Sequence, residues 1–196
     1  EFKCIYSELS KLQADMIELR EGEALAVNFN LQLHHLPDES VCVTNPRDRM
    51  LRMMKSLNPK VFTMVEQEAN TNTSPFFLRF MEALNFYLTI FDSIDVALPR
   101  ESKDRVNVEE QCLARDIVNV IACEGLERME RHELMGKWRA RMMMAGFSPR
   151  PLSSHVNNII ANLLESYNSN YILKEEGDAL YLGWMNRYLI VASAWQ

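Results

Sequence analysis

Hydrophobic and polar positions in the first third of the chain predict a strand, a helix and a second strand. Ala24 to Leu33 alternates and is rich in β-forming residues, which indicates a strand. Asn45-Pro46 places a proline in the first turn of a helix. One apolar face of that helix comprises Met50, Met53, Met54 and Leu57. Lys60 to Val65 is a short apolar run typical of a buried parallel strand. This order predicts an α/β unit with a crossover helix.

The middle of the chain has helical periodicity. A long helix is predicted from an apolar stripe that we expect to be core rather than a ligand-binding surface. Its residues are Phe77, Phe80, Met81, Leu84, Leu88 and Phe91. Val108 to Cys123 predicts a second long helix, and Lys137 to Ala145 predicts a shorter one that ends at Gly146. A last amphipathic helix follows Ser153 and Ser154, which offer an N-cap.

The end of the chain changes to the period of strands. Three short strands are predicted at Tyr171–Leu173, Ala179–Trp184 and Leu189–Trp195. The links between them are so short that they can join only antiparallel neighbours. The expected fold class is therefore α/β, with an antiparallel C-terminal meander that completes a mixed sheet. Trp138, Trp184 and Trp195 are expected to anchor the core or, alternatively, an interface.

Composition narrows the possible classes of protein. The 196 residues are 47% hydrophobic and 24% charged, which is ordinary for one globular domain or part of one. The formal net charge of −6 would not attract DNA on average, so contact with nucleic acid needs a local basic patch. No apolar stretch approaches the length of a membrane span. Four widely spaced cysteines without a CxxC pattern indicate free thiols. The histidines show no zinc-ligand spacing, so we expect no metal site and no cofactor.

Two acidic residues are candidates for chemistry. Glu66 and Glu68 lie at the carboxyl end of the second predicted strand, where open α/β sheets bind ligands. Two neighbouring carboxylates can serve as acid and base, but they can equally cap the next helix or solvate the edge of the sheet. The chain has only six glycines and no Gly-rich phosphate loop. A methyl-donor enzyme or ligand-binding Rossmann domain is therefore only an alternative hypothesis.

A local basic segment is the candidate for contact with DNA. It contains Arg128, Arg131, Lys137, Arg139 and Arg141. Such a segment can contact phosphates. It can equally be a solvated helix with intrahelical ion pairs.

The C-terminal sequence resembles the plant GRAS family. Val191-Ala192-Ser193-Ala194-Trp195 ends in the Ser-Ala-Trp signature of the family's SAW motif. The spacing of three residue pairs agrees with that motif: Arg128 with Glu133, Trp138 with Gly146, and Trp184 with Trp195. Cys112 to Glu133 resembles the junction between the family's PFYRE and SAW regions, and Pro59, Phe86-Tyr87 and Arg100-Glu101 supply the letters PFYRE. Pro37 to Val41 and Asn45 to Asp48 resemble the scarecrow-like branch linked to phytochrome A signalling.

The resemblance implies the C-terminal part of one GRAS domain, because the family's VHIID segment and first leucine-rich region are absent. The implied regions are a second leucine-rich region over about 1–58, a PFYRE region over about 59–125 and a SAW region over about 126–196. The implied fold is a Rossmann-like, methyltransferase-like core. Motif residues with a structural or partner-binding role would be Arg128, Glu133, Trp138, Gly146, Trp184 and Trp195.

The resemblance also implies a function. Members are non-catalytic regulators of plant development and of light or hormone responses, so we expect action in the nucleus, with the cytoplasm also open. The expected partners are other transcription regulators, such as zinc-finger factors or a sister GRAS protein. Contact with DNA would be mainly indirect, and no membrane is implied. Direct DNA binding through the basic segment and methyl-donor chemistry stay as alternatives.

Overall fold

The chain folds into one mixed sheet with helices packed against it. The computed structural model describes residues 1–196. The strands are β1 (Ala26–Asn30), β2 (Val61–Gln67), β3 (Pro149–Arg150), β4 (Tyr171–Glu176), β5 (Ala179–Trp184) and β6 (Arg187–Trp195). The helices are α1 (Pro46–Ser56), α2 (Phe76–Ala97), α3 (Lys103–Asn107), α4 (Ala114–Ala122), α5 (Met135–Met144) and α6 (Ser154–Leu164). A π-helical segment, Val108–Leu113, joins α3 to α4, and short 3-10 turns include Leu33–His35.

The predicted strand–helix–strand unit is confirmed. β1 and β2 pair in parallel, with Phe29 opposite Met64, and α1 crosses between them. The side chain of Asn45 caps α1 by accepting a hydrogen bond from the Asp48 amide. The first strand is shorter than predicted, because Leu31 adopts a left-handed backbone conformation (φ 53°) and the chain then turns. This turn brings His34 and His35 to the carboxyl end of the parallel pair.

The predicted antiparallel meander is also confirmed. The strand order is β1-β2-β6-β5-β4, and β6 runs antiparallel to both β2 and β5. The second predicted strand is thus parallel on one side only. A shift in register between Leu182 and Gly183 bends the β5–β6 pair. At Gly183 a Cβ atom would lie 2.2 Å from the carbonyl oxygen of Arg187, so only glycine fits.

The apolar residues form two core clusters. The larger cluster joins β1, α1, β2 and α5, and includes Phe62, Trp138 and Trp195. The smaller cluster joins α2 and α4 to the meander and includes Trp184. All three tryptophans are at most 1% exposed. None of the helices combines the length and the apolarity that a crossing of a lipid bilayer requires.

Candidate functional site

The candidate site lies at the carboxyl end of β2, where the sequence pattern placed it. Glu66 extends the buried face that Phe62 and Met64 begin, and its side chain is fully buried. Its carboxylate accepts hydrogen bonds from the Leu33 amide (2.8 Å) and pairs with Nδ1 of His34 (2.6 Å). Glu66 therefore ties the turn after β1 to the end of β2.

A second carboxylate, Glu130, faces three histidines. Its oxygens lie 3.2 Å from Nε2 of His34, 3.3 Å from Nδ1 of His35 and 3.5 Å from Nε2 of His132. Burial opposes the charge of His34, but hydrogen bonds to Glu130 and Glu66 outweigh it and raise the His34 pKa to about 9. Burial holds the pKa of His132 well below its ordinary value. One imidazole is thus held charged and its neighbour neutral.

A buried network of arginines and carboxylates adjoins the histidines. Arg141 on α5 pairs with Glu133 (2.6 Å), Asp38 (3.0 Å), Glu39 (2.8 Å) and Asp48 (2.7 Å). Burial works against ionised Glu133, but its hydrogen bond to Arg141 lowers the Glu133 pKa below the ordinary value.

Arg47 on α1 completes this network. It is fully buried and pairs with Glu133 at 3.1 Å. It also donates hydrogen bonds to the carbonyl oxygens of His34, Leu36 and Arg131. The network therefore joins α1, the turn after β1, the 128–134 segment and α5.

Five of the six predicted motif residues lie inside the protein, and the sixth, Gly146, is exposed. Glu133, Trp138 and Trp195 are 0% exposed, Trp184 is 1% exposed, and Arg128 is 6% exposed and donates to the carbonyl oxygen of Thr71. The Trp184 indole donates to Asp92 (2.6 Å), and the Trp195 indole donates to Ser193 (2.9 Å). Gly146 follows Ala145, the C-cap of α5, and has a positive φ of 93°, a conformation that favours glycine at this position. These positions hold the fold together.

The basic segment does not form a continuous basic surface. Arg128, Arg131 and Arg141 are each at most 6% exposed and are bonded to carbonyl or carboxylate oxygens. Arg131, for example, donates to Asn72 and to the carbonyl oxygen of Gly125. Lys137 and Arg139 keep 45% and 30% of their side-chain surfaces exposed. The sequence suggested either a phosphate-binding patch or a solvated helix. Both interpretations place the arginines at the surface, so neither describes the three that are buried.

The expectation that the α2 stripe belongs to the core is wrong for five of its six residues; the sixth, Phe91, packs against the smaller cluster. Phe77 is 69% exposed and Leu88 is 56% exposed, and Phe80, Met81 and Leu84 are exposed as well. The core side of α2 is formed instead by Ala83, Phe86 and Tyr87. Between α2 and α4 lies a groove of about 150 Å³ whose lining is entirely apolar. Its residues are Phe80, Ala83, Leu84, Tyr87, Leu88, Phe91, Ile117 and Ile121.

The two acidic candidates have structural partners. Glu66 is bonded to His34 and Leu33, as described above. Glu68 lies just beyond β2 and accepts a hydrogen bond from the amide of Met135 at 2.9 Å, and burial raises its pKa to about 7. Each carboxylate thus anchors a neighbouring segment.

Sequence reasoning missed the residues that organise the site. It found no metal-ligand spacing among the histidines and gave no site role to His34, His35, Arg47 or Asp38. A signal was present, since His34-His35 comes directly after a strand and Asp38 shortly follows. The partners of these residues, Glu130 and Arg141, lie far away in the sequence, so no local spacing pattern reveals them.

The fold matches a solved structure. The crystal structure of SCL7 in Oryza sativa superposes with a TM-score of 0.90 and 36% sequence identity, covering 98% of this chain and 53% of the other. The mixed sheet and its helices thus constitute a Rossmann-like α/β fold.

The sequence comparisons define the family. The GRAS domain family model matches residues 1–196, and the chain belongs to that family. It is 58% identical over 196 residues to the Scarecrow-like transcription factor PAT1 of Arabidopsis thaliana, covering 100% of this chain and 40% of that protein. It is 57% identical over 195 residues to the chitin-inducible gibberellin-responsive protein 1 of Oryza sativa subsp. japonica, covering 100% of this chain and 34% of that protein. The chain therefore spans less than half the length of these relatives, of which PAT1 is named a scarecrow-like transcription factor.

Proposed function

We propose that this chain is part of a non-catalytic nuclear regulator of transcription that acts through protein–protein contacts in plant development or in light and hormone signalling. The names of its relatives support a regulatory role. The partners that we propose are other transcription regulators, namely a zinc-finger factor or a sister GRAS protein. The motif residues serve this function indirectly, since they shape the body that presents the binding surface.

The observation that carries the proposal is the exposed apolar face of α2. Large side chains are exposed along most of this helix, and the groove beside α4 has an entirely apolar lining. Contiguous apolar surface of this kind marks interaction sites on proteins. A groove between two helices suits the apolar face of an amphipathic helix from a partner.

The alternative of direct DNA binding has little support from the geometry. Three of its five proposed contact residues are buried, which leaves Lys137 and Arg139. The methyl-donor alternative relied on Glu66 and Glu68, and both carboxylates are engaged in hydrogen bonds within the protein.

The test places charges on the α2 face of the full-length protein. In the double variant Phe77→Glu, Leu88→Glu, both changes fall on exposed side chains, so the fold should persist. We expect at least about a tenfold loss of affinity for a zinc-finger or GRAS partner, measured by calorimetry, because charged residues cannot enter an apolar interface without loss of hydration.

The matched control is Leu163→Glu, on the equally exposed apolar side of α6. It should leave the affinity unchanged. Equal binding by the α2 variant and the control would refute the assignment. Hydroxyl-radical footprinting of the partner-free, full-length protein provides a second check, because it reports the solvent exposure of side chains. Protection of Phe77 and Leu88 would show that the rest of the protein already covers this face of α2, and would likewise refute the assignment.

A further inference from the structure

Donor atoms from two distant segments converge beside the turn after β1. Nε2 of His34, Nδ1 of His35 and a carboxylate oxygen of Glu130 all lie within 4.8 Å of one another. Nε2 of His132 lies 3.5 Å from the same carboxylate. We propose that these four side chains form a binding site for a divalent transition-metal ion of the Zn²⁺ type.

The separations of the donor atoms suit such an ion. Ligands held about 2.0–2.1 Å from a tetrahedral zinc ion lie about 3.3–3.4 Å from one another. The distances from Glu130 to the nitrogens of His34, His35 and His132 are 3.2, 3.3 and 3.5 Å. Oε2 of Glu130 makes the contacts with His34 and His132, and Oε1 makes the one with His35. The three donors of His34, His35 and Glu130 already lie together, and His132 must move closer to complete a four-ligand shell.

The outer hydrogen bonds direct the correct nitrogens toward the centre. Nδ1 of His34 lies 2.6 Å from Glu66, and Nδ1 of His132 lies 3.2 Å from the hydroxyl of Thr71. When each Nδ1 carries the proton and donates to its oxygen partner, each Nε2 keeps its lone pair for a metal. Ligating histidines in metalloproteins usually have partners of this kind.

An independent observation comes from His132. Its side chain is 1% exposed, and Nε2 has no hydrogen-bond partner. A buried polar atom without a partner costs free energy, so native structures rarely contain one. A metal ion bound beside Glu130 would satisfy this atom.

Charge and ligand type favour the same class of ion. The buried carboxylates of Glu66 and Glu130 balance a double positive charge when the three imidazoles are neutral. Three nitrogen donors and one oxygen donor suit zinc, whereas magnesium and calcium prefer oxygen ligands.

A route for entry also exists. The side chain of His35 is 36% exposed, and it lines a surface cavity of about 350 Å³ together with Gln32 and Arg128. His35 can therefore reach both the solvent and the buried donors. The ligands come from two segments, 34–35 and 130–132, which explains why local sequence spacing gave no sign of the site.

The test uses the full-length protein with its thiols kept reduced. Zn²⁺ alone is titrated against a chelating indicator, and Co²⁺ is used as a spectroscopic probe of tetrahedral coordination. We expect one equivalent of ion to bind, and both His35→Ala and Glu130→Gln to weaken binding at least about tenfold. His155→Ala, an exposed histidine on α6, is the matched control and should bind like the unchanged protein.

Several results would overturn the proposal. One is the lack of stoichiometric binding by the unchanged protein. Another is equal affinity in His35→Ala, which would place the ion on other groups such as the free cysteines. His35 is partly exposed, so its variant should fold even if Glu130→Gln does not. Zn²⁺ should raise the melting temperature of the unchanged protein and of His155→Ala by similar amounts, and that of His35→Ala by less at the same Zn²⁺ concentration.

Discussion

Arg141 is the side chain whose removal should be most informative about the buried network. It pairs with four carboxylates, of which Glu133 and Asp38 are completely buried. Arg141→Met keeps much of the aliphatic volume but leaves these carboxylates without their shared cation. Breaking a buried ion pair by removal of one partner costs about 3–5 kcal/mol of unfolding free energy. The pair with Glu39 adds little, because that carboxylate is 59% exposed.

Arg139→Met is the matched control, two residues earlier on the same helix. Its ion pair with Asp178 spans 3.9 Å, and its side chain is 30% exposed. Its loss should therefore cost less than about 1 kcal/mol. Urea unfolding of the full-length protein at neutral pH, followed by circular dichroism, compares the two variants. Equal stability of Arg141→Met and Arg139→Met would refute the reasoning.

The effect of Arg141→Met should also depend on pH. In the unchanged protein Arg141 lowers the pKa of Glu133, so this carboxylate stabilises the fold above its unfolded pKa, and that contribution is lost as the pH falls. In the variant Glu133 keeps Arg47 but loses its hydrogen bonds to Arg141, so its pKa should be higher than in the unchanged protein, and less stability is lost when it is protonated. The difference in stability should therefore be constant near neutral pH and shrink as the pH falls below about 4.5, the ordinary pKa of the glutamate. A constant difference would show that lost packing, not charge, causes the effect.

Three further predictions concern the sheet and the basic segment. Trp195→Ala should lower the unfolding free energy by about 3–5 kcal/mol, because the ring is fully buried; an unchanged melting temperature would contradict this. Gly183→Ala should lower the unfolding free energy of the protein by more than about 1 kcal/mol, since its Cβ would collide with the carbonyl oxygen of Arg187. Thermal unfolding measures this loss, and a variant as stable as the unchanged protein would contradict the close approach at the bulge. The variant Lys137→Glu, Arg139→Glu should leave any DNA affinity of the full-length protein unchanged, and a weaker, salt-dependent complex in a fluorescence titration would revive the DNA hypothesis.

The periodic elements were predictable because their pattern is local. The helix after Asn45 and the strands from Tyr171 onward follow from spacing, turn residues and β-forming side chains. The first strand was predicted too long, because the left-handed conformation of Leu31 has no signature in its side chain. Local sequence patterns therefore predict whether a segment is a helix or a strand better than they predict the residue at which it ends.

The burial of charged and aromatic side chains was not predictable in the same way. Arginine is usually exposed, so Arg141 was read as surface, yet distant carboxylates such as Asp38 make its burial favourable. Conversely, an apolar stripe indicates a covered helix face, but Phe77 and Leu88 are uncovered in this chain. In both cases the burial of the side chain depends on which other segment of the chain packs against the helix. The spacing of residues within the helix carries no information about that segment.

The position of β6 bears on how the protein is made in the cell. This strand is the last of the six to be synthesised, yet it lies in the middle of the sheet and joins the parallel pair to the hairpin. β6 cannot pair along its whole length until Trp195 has left the ribosome. Until then, the edges of β2 and β5 that pair with β6 stay unpaired. A premature stop codon between β5 and β6 should therefore leave the parallel pair and the hairpin unjoined and abolish the folded sheet, although it removes only the last strand.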